Sequence, residues 1–426
     1  MCLTSRGGPF AMSMAINVTS LRSKAGSQAL RLATDARDRY RAGALLLRGS
    51  PFAVGWVAGW LSAEFPPHVL TGHALSLVSP PSIGRVATAW AAQRADQILA
   101  AALEESFGPD FRDLVCHPTS DQSDCAPRNG VLPIPGPHRR YAAQTSDISY
   151  GPGGSEHLLD VWRRPDLAPG HRAPVLIQVP GGAWAINGKR PQAYPLMSRM
   201  VELGWICVSI NYSKSPRSTF PAHIIDVKRA IAWVRENIAD YGGDPDFIAV
   251  TGGSAGAHLA SLAALTPNDP AFQPGFENAD TTVHAAAPYY GVYDLTDFDN
   301  MHQLMLPFLE QFVIKARYAE APERFKAASP ISYVHSQAPP FLVLHGEKDE
   351  LVPCGQARAF CAALRDAGAA TVSHAELENA HHAFDITPTV RSRLAADAVA
   401  DFLGVVYGRR ASPRTGSLPL SATSAS

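Results

Sequence analysis

The chain has 426 residues, too many for one minimal domain, and its 37 basic residues against 38 acidic ones leave a formal net charge of −1. That balance argues against a nucleic-acid partner, and 46% hydrophobic with 18% charged residues excludes a disordered chain in favour of a globular one with a sizeable core. Six cysteines at this length do not make a disulfide scaffold.

The N-terminal stretch MCLTSRGGPFAMSMAINV has a lone arginine and an interrupted apolar run, which makes a poor signal peptide. Ser27–Gly49 reads as a helix with arginines among alanines and leucines. Pro51–Ser62 is the most apolar stretch, but it is shorter than the ~18–20 residues needed to span a bilayer and reads as buried or interfacial. The compartment is therefore left between the cytoplasm and the periphery of the membrane or cell envelope. Arg85–Ser106 is a better helix, with Ala87, Trp90, Ala91, Ala95, Ile98, Ala102 and Leu103 recurring at three- and four-residue spacing. The expected partner of that apolar face is the catalytic domain. The alternatives are a lid over the active site and a surface in peripheral contact with membrane lipid. Pro109–Pro137, rich in Pro, Asp, Ser and Gly, reads as a linker. Residues 1–135 are thus taken as a helical N-terminal region, 140–408 as the catalytic domain and 409–426 as a disordered Ser/Pro-rich tail.

From Tyr141 onward apolar strands alternate with helices. The strands are expected at Ser146–Tyr150, His157–Val161, Val175–Val179, Ile206–Ile210, Phe247–Val250, His284–Tyr289, Pro340–Leu344 and Thr371–Leu377. Helices are expected at Tyr194–Leu203, Ile224–Ala239, Ala255–Leu265, Gly355–Ala367 and Val390–Val406. The pattern is that of a mostly parallel, eight-stranded sheet with helices on both faces, an α/β fold. A helical cap insertion interrupts it near 294–337. There Met301, Leu304, Met305, Phe308, Leu309 and Phe312 form an apolar stripe that Pro307 is expected to kink, serving either core packing or an acyl pocket. Cys354 and Cys361 lie about two helical turns apart, ~10 Å, too far to bridge. Only Cys116 and Cys125 could pair, and free thiols are the expectation.

The chemistry centres on Phe247–Leu262, FIAVTGGSAGAHLASL. A strand breaks at Gly252-Gly253-Ser254-Ala255-Gly256 and a helix follows, the arrangement of a nucleophile elbow. A serine hydroxyl needs a base, and the base an orienting acid. Asp349 follows the strand Pro340–Leu344, and His382 lies on the loop after the last strand, so acid and base come in the order Ser, Asp, His at strand ends. Glu347 is the second choice of acid and His381 of base. The oxyanion needs backbone N–H donors. One is Ala255; Gly182 and Ala183 are the others, on the loop Pro180-Gly181-Gly182-Ala183-Trp184 after Val175–Val179. No H-E-x-x-H or comparable cluster occurs, and neither metal nor cofactor is expected.

The chain resembles α/β-hydrolases of the hormone-sensitive-lipase-like group, the branch with an H-G-G-x-W loop that includes carboxylesterases and kynurenine formamidase-like enzymes. The matching pieces are Gly181–Trp184, Asn211–Pro216, Gly242–Pro245, Gly252–Gly256, His345-Gly346 with Asp349, and His382-Ala383-Phe384, together spanning about Tyr141 to Tyr407. The layout is also similar to that of mycobacterial lipase/esterases. The resemblance implies Ser254, Asp349 and His382 as a triad. It implies a serine carboxylic-ester hydrolase acting on small-molecule esters, short- to medium-chain or lipid-like. An arylformamidase-like amidase is the alternative within the class; a non-catalytic ligand-binding protein is the alternative outside it. The usual histidine of the oxyanion loop is Pro180 here, which has no side-chain donor or acceptor.

Overall fold

In the computed structural model the described residues are 81–119, 135–142, 144–186, 188–190 and 192–411. The helix expected at Ser27–Gly49, the apolar stretch Pro51–Ser62, Cys125 and the tail beyond Ala411 lie outside them. The strands are β1 (Ile148–Ser149), β2 (Leu158–Trp162), β3 (Ala173–Val179), β4 (Ile206–Ile210), β5 (Gly243–Gly253), β6 (Ala285–Tyr289), β7 (Phe341–Gly346) and β8 (Val372–Leu377). The helices are α1 (Pro81–Phe107), α2 (Pro135–Ala142), α3 (Tyr194–Glu202), α4 (Ala222–Asn237), α5 (Ala255–Leu265), α6 (Met305–Phe308), α7 (Pro322–Ala327), α8 (Gly355–Asp366) and α9 (Val390–Ala411).

One eight-stranded sheet runs in the order β1-β2-β4-β3-β5-β6-β7-β8. The β1·β2 and β2·β4 pairings are antiparallel and the others parallel. This is the α/β-hydrolase fold. Every residue of β3, β4, β6 and β7 is buried, because helices cover both faces and leave no polar alternation. The parallel strands end on one edge, where sites of such sheets form. The ends of β3, β5, β7 and β8 deliver there the loop 180–184, Ser254, Asp349 and the loop bearing His382.

The N-terminal helix belongs to this body. Ala95, Leu99, Ala102 and Leu103 are buried in one cluster with Leu377 of β8 and Phe402 and Leu403 of α9. The helix runs antiparallel along β8: Ser106 Oγ meets Ser373 Oγ at 2.7 Å, and Arg94 grips Glu378 with two nitrogens, at 3.0 and 2.7 Å. The start of the expected linker is not free chain. Phe111 is fully buried, and the N–H groups of Cys116 and Thr119 donate to Gly404 O (3.2 Å) and Leu203 O (3.3 Å). At the other end α9 continues to Ala411, so Arg409 and Arg410 are helical and not part of a tail, and Arg409 lies 4.8 Å over the Phe107 ring.

Two local expectations also change. Pro307 does not kink a long helix, because α6 is a single turn beginning at Met305 and its first turn needs no proline N–H. The chain widens after it into a π-turn, Leu309–Val313, with Ile314 N–H donating to Leu309 O at 2.8 Å. Cys116, Cys207, Cys354 and Cys361 are free thiols. Among the described residues no helix is long and apolar enough to cross a membrane.

Candidate active site

Ser254 joins β5 to α5 with φ 56° and ψ −122°, a conformation that costs a residue with a side chain of order 1–3 kcal/mol. The turn is held because Ser254 N–H donates to Tyr289 O at 2.9 Å and its carbonyl accepts from His258 N–H at 3.0 Å. Glycine is required beside it. A Cβ on Gly256 would lie 2.1 Å from Val179 O, and one on Gly253 would lie 2.7 Å from the Tyr290 hydroxyl. Ser254 itself is half-buried.

Asp349 has a fully buried carboxylate. Its Oδ1 accepts from the N–H groups of Leu351 (3.0 Å) and Val352 (2.8 Å), and its Oδ2 lies 2.7 Å from His382 Nδ1. His345 Nε2 stands 3.3 Å from the same Oδ2 and 2.8 Å from Val352 O. Burial alone would raise this carboxyl's pKa. The charges and hydrogen bonds of His382 and His345 outweigh it and hold the group well below the usual carboxylate range. An ionised Asp349 fixes the proton of His382 on Nδ1 and leaves Nε2 free for the opposite side of the ring.

The second-choice pair is not assembled in this way. Glu347 is exposed, and its Oε2 accepts from Asn379 N–H at 2.9 Å, which ties down the loop before His382. His381 is buried beside His382 with Nδ1 unpartnered.

The loop after β3 takes a conformation few residues accept, with φ 120°, 50° and 56° at Gly182, Ala183 and Trp184. It is braced on several sides although Pro180 offers no side-chain bond. Pro180 O accepts from the Tyr212 hydroxyl at 3.0 Å, and Gly181 N–H donates to Gln192 Oε1 at 2.7 Å. Trp184 O accepts from Ser215 N–H at 2.9 Å, and the buried Trp184 indole donates to His258 Nδ1 at 3.1 Å. His258 sits on α5, one turn beyond Ser254, and its Nε2 bonds Ala328 O at 2.6 Å. The loop and the serine turn are therefore fixed to each other. Within the described residues, no hydrogen bond takes up the N–H groups of Gly182, Ala183 or Ala255. Unused backbone donors at one strand edge are what a developing oxyanion requires.

Gln192, His258 and Tyr290 carry no local signature as site residues, and Tyr212 shows only as part of the matched stretch Asn211–Pro216. Each acts through a partner at least 11 residues away in the chain, as in the Gly181–Gln192 and Trp184–His258 bonds. The one visible signal is an aromatic pair, Tyr289-Tyr290, at a strand's C-terminal end. Among the described residues no group of three or more His, Cys, Asp or Glu could hold a metal ion.

A family model described as BD-FAE matches residues 159–364. The chain is 76% identical to the esterase LipQ of Mycobacterium tuberculosis over 417 residues, covering 96% of this chain and 99% of the relative. It is 52% identical over 332 residues to LipM of the same organism, a probable carboxylic ester hydrolase, covering 76% of each chain. Among solved structures it is similar to a truncated carbohydrate esterase from gut microbiota, with a TM-score of 0.53 at 24% identity, covering 62% of this chain and 97% of that one. That last likeness bears on the fold alone.

Proposed function

Since the chain belongs to the same esterase family as LipQ and LipM, and is accordingly a carboxylesterase, we propose that Ser254, His382 and Asp349 perform its ester hydrolysis as a triad. The observation that carries this reading is the 2.7 Å bond between His382 Nδ1 and the buried Asp349, beside a serine held at positive φ on the same sheet edge. Ser254 Oγ attacks the ester carbonyl as its proton passes to His382 Nε2. The N–H groups of Gly182, Ala183 and Ala255 receive the oxyanion. The intermediate collapses, His382 returns the proton to the departing alcohol, and an acyl-serine remains. Water, deprotonated by the same nitrogen, then releases the acid and restores Ser254. Asp349 stays ionised throughout and stabilises the imidazolium.

The substrate is proposed to be a short- to medium-chain or lipid-like ester. The buried Met305, Phe308 and Leu309 between β6 and β7 are the apolar residues suited to an acyl chain. The test has two parts. A fluorophosphonate probe labels the parent protein and fails to label Ser254→Ala; persistent labelling would place the nucleophile elsewhere. Turnover of p-nitrophenyl esters of increasing chain length then exceeds turnover of N-formylkynurenine. A preference for the amide would overturn the ester assignment in favour of an arylformamidase-like activity.

A further inference from the structure

Tyr290 packs directly on His382 and adjoins the strand ends that carry Ser254 and Asp349. The residue before it accepts the Ser254 N–H, through Tyr289 O at 2.9 Å. Its own N–H donates to Leu344 O of β7, the strand that leads to Asp349, at 2.7 Å. Its ring lies against the imidazole of His382, with centroids 4.6 Å apart and planes tilted by 56°. Its hydroxyl donates to Asp385, three residues beyond His382. The space for that hydroxyl exists because residue 253 is glycine. Tyr290 itself is held at φ 40°, a strained value for a tyrosine.

The loop that carries His382 is strained on both sides, with φ 55° at Asn379 and 65° at Ala383. Such backbone persists only where its surroundings hold it. Upstream it is held by Glu347 on Asn379 N–H and by Lys348 N–H on Ala380 O, both at 2.9 Å. Downstream, Tyr290 ties it through Asp385. Burial and the neighbouring Asp385 charge keep the phenol protonated, and burial raises the Asp385 carboxyl. The pair therefore remains hydrogen-bonded while His382 cycles between neutral and charged. The tyrosine ring also packs against the imidazole and limits how far it can swing.

We propose that Tyr290 and Asp385 form a positioning pair that sets the orientation of the His382 imidazole relative to Ser254, an inference that rests on the triad reading above. Neither residue exchanges a proton with substrate. Their contribution is geometric, and small misplacements of a base cost up to ~10²-fold in rate.

The test compares kcat and KM on one p-nitrophenyl ester for the parent, Tyr290→Phe, Asp385→Ala, Asp385→Asn and the double variant Tyr290→Phe/Asp385→Ala. Tyr290→Phe and Asp385→Ala each lower kcat by about tenfold or more and leave KM within about twofold. The double variant is no slower than the worse single one, because both break the same bond. Asp385→Asn, whose amide oxygen still accepts from the phenol, stays within about threefold of the parent. Multiplied losses in the double variant, a loss confined to KM, an Asp385→Asn as slow as Asp385→Ala, or unchanged kcat in the singles would each overturn the proposal. Melting temperatures identify variants that do not fold; if Tyr290→Phe is one, the contrast between Asp385→Asn and Asp385→Ala decides alone. If Ser254→Ala abolishes fluorophosphonate labelling while Tyr290→Phe and Asp385→Ala keep full kcat, the triad stands and only the positioning role is lost.

Discussion

Trp184 and His258 meet edge-on, ring centroids 5.1 Å apart, with the indole N–H donating to His258 Nδ1 at 3.1 Å. An indole can only donate, so Nδ1 must be bare and the proton must sit on Nε2, where it is given to Ala328 O. Burial holds this imidazole down at about 4, against an ordinary value of 6.5. A depressed histidine favours the fold in its neutral form. Its contribution is full above about 6.5 and is lost as the pH falls toward about 4, on the order of 3 kcal/mol in all. Denaturant unfolding from pH 7 to pH 4 should show parent stability falling. His258→Gln offers an oxygen to Trp184 and an N–H to Ala328 without titrating, so its curve should be shallower by about one bound proton. Equal slopes would mean that the other depressed histidines, such as His117, His223 and His284, carry the whole effect.

The Tyr212 hydroxyl braces Pro180 O from the interior. Tyr212→Phe removes the donor and leaves that carbonyl short of a partner, at a cost of ~1–3 kcal/mol in stability. Because the loop carries Gly182 and Ala183, kcat should fall roughly tenfold with KM little changed. Steady-state kinetics and a melting curve read both. An unchanged kcat would show that Gln192 and Trp184 hold the loop without it.

Two adjacent histidines differ in partner: His382 faces Asp349 and His381 does not reach it by hydrogen bond. His382→Ala should lower kcat by about 10⁶-fold, and His381→Ala should stay within about tenfold of the parent. The reverse result would exchange their roles.

The N-terminal helix should behave as core. Leu103 is almost wholly buried against α9 and β8. Leu103→Ala should cost ~2–5 kcal/mol by urea unfolding, and a chain beginning near Tyr141 should melt lower or aggregate. A truncated chain as stable as the full one would show that α1 is dispensable to the fold.

The strand–turn–helix at Ser254, the strand-end loops bearing Asp349 and His382 and the glycine loop after β3 were legible in the sequence because each is a local pattern. A strand ending in G-x-S-x-G can be read from a dozen residues. So can the fully buried strands β3, β4, β6 and β7, which are rich in apolar residues. Strand ends were less legible: β5 begins at Gly243, where Ala173 pairs with it across a bulge before the apolar run starts. The helix Pro81–Phe107 showed its apolar face by spacing, but spacing cannot say what covers a face, and the alternatives stayed open until β8 and α9 were seen against it. The short stretch Phe111–Thr119 looked like linker because its polar composition hid one buried phenylalanine and two backbone bonds to distant carbonyls. Above all, the sequence named the groups we propose to carry the reaction but not those that hold them. Tyr290 with Asp385, Trp184 with His258 and Tyr212 with Pro180 are 95, 74 and 32 residues apart. A hydrogen bond between such partners exists only once the sheet has brought its strand ends together, and no local preference along the chain encodes it.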